Sequence, residues 1–299
     1  MSDNKYKKCF SIISNELSEF EKVLNVNFSN KSFANDLNDF ISRSKKIRFL
    51  VSILLLKAFD KNIQTKHLEN LANVELLHNA TLLHDDVLDK AMTRRGKKSF
   101  NLSHGDNFAI LSGDYLFSEV IEKIIELKSK TLQKMYSDAI KTLITGEIEQ
   151  NYSKFKILEI EKYIEKTRKK TAALFELAIN SSFVLCGKDC SKDELEQVKE
   201  FSKNFGIAFQ ICDDLKNYKQ NTSSQSDIQQ GIYTAPVIFE YFLCTQKNIS
   251  DIIKSKSLIG IEKTEALINY YFEQALKIIE MKNNAYSDGL RDLISLIKE

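Results

Sequence analysis

The densest run of chemically capable side chains is His84-Asp85-Asp86-Val87-Leu88-Asp89. On a helix Asp85 and Asp89 stand one turn apart on one face, and Asp86, three before Asp89, can converge with them. Three carboxylates so close repel one another unless something positive joins them. A hard dication such as Mg²⁺ suits them, because it takes oxygen ligands and often shares them with substrate phosphates. A solvated acidic face is the plainer reading, but the run follows Leu76–Leu83, an apolar stretch that should be largely buried. A second concentration, Phe209-Gln210-Ile211-Cys212-Asp213-Asp214-Leu215-Lys216-Asn217, repeats the four-residue spacing with Asp213 and Asn217. Asn217 offers a carbonyl oxygen without charge, so this copy is the poorer one. As a pair, the two runs suggest helices that face each other across a metal–diphosphate pocket.

Basic residues are grouped as well. Arg43, Lys45, Lys46 and Arg48 form one group, Arg94, Arg95, Lys97 and Lys98 a second, and Lys166, Arg168, Lys169 and Lys170 a third just before Thr171. Any one group alone reads as solvated surface. Three of them near acidic metal-binding candidates read as diphosphate clamps, with Arg supplying bidentate donors and Lys a point charge. RNA binding is the competing reading, but aromatic residues are not interleaved with these groups as a stacking platform requires. The net charge of +2, from 43 basic against 41 acidic residues, gives nucleic-acid binding no further support.

The elements that must carry these groups are helices. Apolar residues recur at helical spacing in Phe10, Ile13, Leu17, Phe20 and Leu24, in Leu50, Ile53 and Leu54, in Val74, Leu77, Ala80, Leu83 and Val87, and in Leu111, Tyr115, Phe117 and Val120. The 299 residues include one proline, Pro236, and nine glycines, the first of them Gly96. Average usage would give about 15 prolines and about 21 glycines. That shortage of turn-makers argues against all-β and α/β folds and for an all-α chain. The periodicity breaks at Thr93–His104, a basic connector, and at Asn217–Gln230, a polar stretch that reads as a surface loop. With 43% hydrophobic and 28% charged residues and no shift in composition, the chain reads as one domain over residues 1–299.

Five cysteines at scattered spacings read as incidental thiols in a reducing compartment. Gly187 between Cys186 and Cys190, with no His or Cys pair nearby, argues against zinc. The N-terminus lacks the apolar core of a signal peptide, and the run Phe49–Leu56 is about half the length of a membrane span. These features predict a cytoplasmic protein without a membrane span.

The segment ELLHNATLLHDDVLDKAMTRRGKKSFN, residues 75–101, resembles the first aspartate-rich region of the trans-polyprenyl diphosphate synthases, with DDxxD followed by RRG. Further matches follow in that family's order: LSGDYLF at 111–117, GEIEQ at 146–150, KTAALF at 170–175 and FQICDD at 209–214. The resemblance implies a single bundle of long antiparallel helices around a deep central cavity, working as a homodimer with Mg²⁺. It implies that Asp85, Asp86 and Asp89 hold Mg²⁺ on the allylic diphosphate and that Asp213, with Asp214, holds a further Mg²⁺. Lys45, Arg48, His78 and Arg95 match positions that bind isopentenyl diphosphate; Arg94, Lys170, Thr171 and Gln210 match those that contact the allylic partner. His78 lies seven before Asp85, nearly the same helical direction, so it can look into the same cavity.

The implied reaction is ionisation of the allylic diphosphate, attack by the isopentenyl double bond, and loss of a proton. Ala80 and Thr81 are small where large aromatics would stop the growing chain, so the resemblance implies a product longer than farnesyl diphosphate, as in octaprenyl-type synthases. Three departures stand out: Arg43-Ser44-Lys45-Lys46-Ile47-Arg48-Phe49 replaces GGKRxRP, Asn217 replaces the last Asp of the second motif, and Ile232 replaces a diphosphate-contacting lysine. These departures define the alternative, a non-catalytic regulatory subunit of a heteromeric prenyl diphosphate synthase.

Overall fold

The computed structural model describes residues 5–24, 33–220, 228–243, 249, 252 and 258–299. Helices α1 (Lys7–Ser11), α2 (Ser14–Leu24), α3 (Ala34–Ser42), α4 (Ile47–Ala58) and α5 (Thr65–Leu88) lead to strands β1 (Thr93–Arg94) and β2 (Lys97–Lys98). Then come α6 (Phe100–His104), α7 (Asp106–Glu126), α8 (Lys130–Tyr152), α9 (Ile160–Thr167), a π-helical turn over Arg168–Ala172, and α10 (Ala173–Leu185). Helices α11 (Lys192–Gln220), α12 (Ala235–Leu243), α13 (Leu258–Ile278) and α14 (Ala285–Lys298) complete the order. The protein is all-α, as the shortage of proline and glycine predicts, and β1–β2 is a two-stranded ribbon within it.

The chain divides into two compact units, each assembled from three separate stretches. The first comprises Met1–Tyr136, Ser181–Cys190 and Asn284–Asp292; the second comprises Ser137–Asn180, Ser191–Asn283 and Leu293–Glu299.

In the first unit α4 is apolar nearly all round and buried accordingly, with Phe49 to Leu56 all inside. α5 is buried along most of its length, including Leu76, Leu77, Asn79, Ala80 and Leu83; it is exposed at Thr65, Lys66 and Glu69 near its start and at Leu88 at its end, where Asp85 and Asp89 are half-exposed. It packs against α7 closely enough that a Cβ on Gly113 would sit 2.3 Å from His84 Nε2.

α5 ends in a Schellman motif. Lys90 takes the left-handed conformation (φ 50°), its N–H bonds to Val87 O at 3.2 Å, and the Ala91 N–H bonds to Asp86 O at 2.8 Å. The basic connector is not a plain loop. Arg95 and Gly96 both have positive φ (52° and 74°), the signature of a two-residue hairpin turn between β1 and β2, followed by the short α6. Buried Ser99 closes the base of this excursion, its N–H donating to Met92 O at 3.2 Å.

In the second unit α11 packs against α13 and against the π turn, and α9 runs into that turn. The loop expected over Asn217–Gln230 begins later: α11 continues through Gln220, because Tyr218 is buried in an apolar cluster with Tyr233 and Val237. Residues 221–227 of that stretch, and Cys244, lie outside the described residues.

Candidate active site

The first unit carries the first aspartate run and two of the basic groups. The Schellman turn and hairpin fold the chain back on α5, and Arg94 Nε donates to Asp86 Oδ1 at 2.7 Å. Asp86 is fully buried and Arg94 30% exposed. Burial pushes the Asp86 carboxyl up from its ordinary range, and Arg94 pulls against that shift. The convergence expected of Asp85, Asp86 and Asp89 is therefore corrected. Asp86 lies 100° round the helix from Asp85 and turns inward to the arginine, while Asp85 and Asp89 share the half-exposed face. Among the described residues no group of three or more His, Cys, Asp or Glu side chains is gathered to hold a metal. Two carboxylates one turn apart still fit Mg²⁺, which binds through one or two carboxylates and completes its shell with water and phosphate.

Around them stands a cationic cluster. Arg95 Nη1 donates to Phe40 O at 3.2 Å and Asn79 Oδ1 at 3.4 Å, with its guanidinium 5.7 Å from the centre of the Phe40 ring. Burial lowers the Arg48 pKa to about 10; Glu75 opposes the shift and Arg95 adds to it. Arg95 is lowered by burial too, with Glu75 again opposing. His78 is pushed well below the usual histidine range, first by burial and then by the fields of Arg48, Arg95 and Arg94, so it is neutral at pH 7. Positive charges buried this close together create a site that a polyanion would stabilise. Lys45 is exposed beside it.

Glu75, buried below this cluster, gave one sequence signal: a lone acid inside the apolar run LANVELL. Ser44 stands where the resemblance places a glycine. Its hydroxyl donates to Glu75 Oε1 and accepts from the Lys46 N–H at 3.2 Å, bracing a backbone that is left-handed at Lys46 (φ 51°).

In the second unit Lys170 and Thr171 lie on the π-helical turn, a distortion that recurs at functional sites. Two glycines admit it. A Cβ on Gly146 would sit 2.9 Å from Lys169 Cβ, and one on Gly206 would sit 2.7 Å from Ala172 Cα. Lys170 Nζ pairs with Glu147 Oε2 at 2.8 Å, and Lys169 Nζ pairs with Glu149 and Glu165 at the same distance.

On α11, Asp213 is exposed and Asp214 is buried. Asp214 accepts from Tyr163 OH and from Gln210 Nε2, each at 2.6 Å, and Gln210 Oε1 accepts from Thr171 Oγ1 at 2.6 Å. Both oxygens of Asp214 are engaged, by buried Tyr163 and half-buried Gln210, and the carboxylate at the surface is that of Asp213. Each Asp-Asp pair has the same division of labour, with its second member buried and held. Asn217 lies exposed one turn beyond Asp213, and Ile232 is largely buried. Tyr163 had no signal in the sequence, because its partner is 51 residues away.

The fold is all-α, with one aspartate run near the end of α5, another within α11, an arginine hairpin and a π turn that carries Lys170 and Thr171. The sequence profile of the polyprenyl synthetases matches residues 30–271. The chain is 34% identical over 262 residues to a prenyl transferase of Cyanidium caldarium, covering 83% of this chain and 80% of that one. It is 32% identical to a decaprenyl-diphosphate synthase of Dictyostelium discoideum over 79% of this chain, but spans only 55% of that relative's length. The decaprenyl diphosphate synthase structure from Rhodobacter capsulatus superposes with a TM-score of 0.87 at 21% identity, covering 98% of each chain. A polyprenyl synthase from Caulobacter crescentus, complexed with calcium and isoprenyl diphosphate, gives a TM-score of 0.84 at 23% identity and 98% coverage of each chain. The chain belongs to the polyprenyl synthetase family, whose members are prenyltransferases.

Proposed function

We propose that the protein is a Mg²⁺-dependent prenyltransferase that condenses an allylic prenyl diphosphate with isopentenyl diphosphate to give a polyprenyl diphosphate longer than farnesyl. The observation that carries this reading is the buried cluster of Arg48, neutral His78 and Arg95, with Arg94 next to it on Asp86, beside the half-exposed Asp85–Asp89 face. Asp85 and Asp89 would hold the metal in the first unit and Asp213 in the second. When bound, Mg²⁺ offsets charge on the departing diphosphate. Arg48, Arg95 and Lys45 bind the isopentenyl diphosphate; His78, being neutral, donates a hydrogen bond to it. In the second unit Lys170 exchanges Glu147 for the allylic diphosphate, and Thr171 and Gln210 orient that group. The proton lost after condensation passes to the released diphosphate, so no protein base is required. Small, buried Ala80 and half-buried Thr81 leave room for a growing chain.

The relatives named decaprenyl-, solanesyl- and hexaprenyl-diphosphate synthase support a long product; we assign that product to isoprenoid or quinone side-chain synthesis. We read the whole chain as one polyprenyl synthetase domain. Exposed apolar residues sharing one face of α7, Leu111, Ile121 and Ile125, support a homodimer. Among the described residues no helix is long and apolar enough to cross a membrane. We keep the cytoplasm as the site of action, although relatives include chloroplastic and mitochondrial forms.

One observation favours a second reading, the regulatory subunit: Ile232 is largely buried where a diphosphate-contacting lysine would stand. Incubating the pure protein with Mg²⁺, farnesyl diphosphate and labelled isopentenyl diphosphate separates the two. Elongation by the protein alone supports the enzyme, and elongation only with a partner chain supports the subunit.

A further inference from the structure

The second unit contains a chain of hydrogen bonds that runs from α9 through α11 to the π turn. Tyr163, 1% exposed on α9, donates to Asp214 Oδ2; Gln210 donates to Asp214 Oδ1; Thr171 donates to Gln210 Oε1. All three bonds are 2.6 Å long, and Tyr163, Asp214 and Thr171 are all buried. The direction of donation is consistent along the chain. Asp214 takes a donor at each oxygen, which orients the Gln210 amide with its carbonyl toward Thr171 and its NH₂ toward Asp214. The far end of the chain is the π turn, which leaves the regular i→i−4 ladder and lies against Gly146 and Gly206, neither of which has a side chain to grip it.

We propose that Tyr163 is a positioning residue for the allylic diphosphate. Through Asp214 and Gln210 it locks the Lys170–Thr171 turn in the conformation that presents both residues to that ligand. Asp214 thereby serves as the strut of the second aspartate pair, while Asp213 faces outward. The proposal rests on the prenyltransferase reading for its ligand, and on the hydrogen-bond chain alone for its mechanics.

Two readouts on the full-length protein test it. Tyr163→Phe removes one hydroxyl and leaves Asp214 Oδ2 buried without that donor. The expected result is a roughly tenfold rise in KM for the allylic diphosphate with KM for isopentenyl diphosphate unchanged, together with faster amide exchange at residues 168–172. Unchanged allylic KM and unchanged exchange would overturn the proposal, as would equal rises in both KM values. Asp214→Asn serves where Tyr163→Phe fails to fold. Asparagine can accept from Tyr163 and, after one rotation of the Gln210 amide, preserve the chain. Its expected allylic KM stays within about threefold of wild type, and its Mg²⁺ concentration for half-maximal activity is unchanged; a raised Mg²⁺ requirement would overturn the assignment of Asp214 as a strut. If the wild-type protein elongates nothing, the prenyltransferase reading fails, and the exchange measurement still decides the mechanical claim.

Discussion

Replacing Arg94 with glutamine removes the cation that faces the buried Asp86 carboxylate. At 2.7 Å the attraction between unit charges at an effective dielectric of 20 is about 6 kcal/mol, before the cost of taking both groups out of water. Breaking a buried pair by removing one partner costs about 3–5 kcal/mol, and because Arg94 is 30% exposed the lower end applies. About 3 kcal/mol lowers the melting temperature of a chain of 299 residues by roughly 5 °C. The pH dependence has a definite sign. Asp86 already sits above its unfolded value because of burial, and loss of Arg94 raises it further. An acid with a raised folded pKa destabilises the fold as pH climbs above its unfolded value, and the penalty levels off above its folded one. The deficit of Arg94→Gln relative to wild type is therefore larger at pH 7.5 than at pH 5, on the order of the 3 kcal/mol above. Arg94→Gln combined with Asp86→Asn recovers at least half of it, because no charge is left stranded. Thermal melts of wild type, Arg94→Gln, Asp86→Asn and the double variant at both pH values measure this. A deficit independent of pH, or no recovery in the double variant, would refute the pairing as the source of stability.

Three other predictions are narrower. His78 should titrate well below 6.5 in the free protein and rise when inorganic diphosphate is added; an NMR titration showing an ordinary histidine pKa would contradict the buried cationic surroundings. Gly206→Ala forces a methyl against Ala172 and should cost about 1–3 kcal/mol in denaturant unfolding, whereas a neutral result would mean the π turn has slack. Ala80→Phe should shorten the product chain seen by chromatography, and an unchanged product distribution would remove Ala80 from the cavity that accommodates the growing chain.

Helical character was legible because it depends on local pattern: the apolar spacing of Val74, Leu77, Ala80 and Leu83 describes one face of α5 without reference to anything else. The positions of Asp85 and Asp89 followed from the same arithmetic. Which member of each Asp-Asp pair turns inward did not, since Asp86 is decided by an arginine across a hairpin and Asp214 by a tyrosine 51 residues away. The hairpin itself was missed because Arg95, an unusual residue at positive φ, stands where asparagine or glycine would have signalled the turn. Ser44 escaped for a similar reason. A Ser replacing Gly reads as a lost turn, yet here its hydroxyl supplies the brace that the backbone requires.

The central claim is that the Asp85–Asp89 face and the cationic cluster beside it form a working prenyl-transfer site. The most direct measurement is chromatography of products from pure protein, Mg²⁺, farnesyl diphosphate and labelled isopentenyl diphosphate, for wild type and Asp85→Ala side by side. The account predicts labelled prenyl diphosphates longer than farnesyl from wild type and a loss on the order of a hundredfold or more in the variant. Wild-type protein that extends nothing, or a variant that extends as well as wild type, would contradict it.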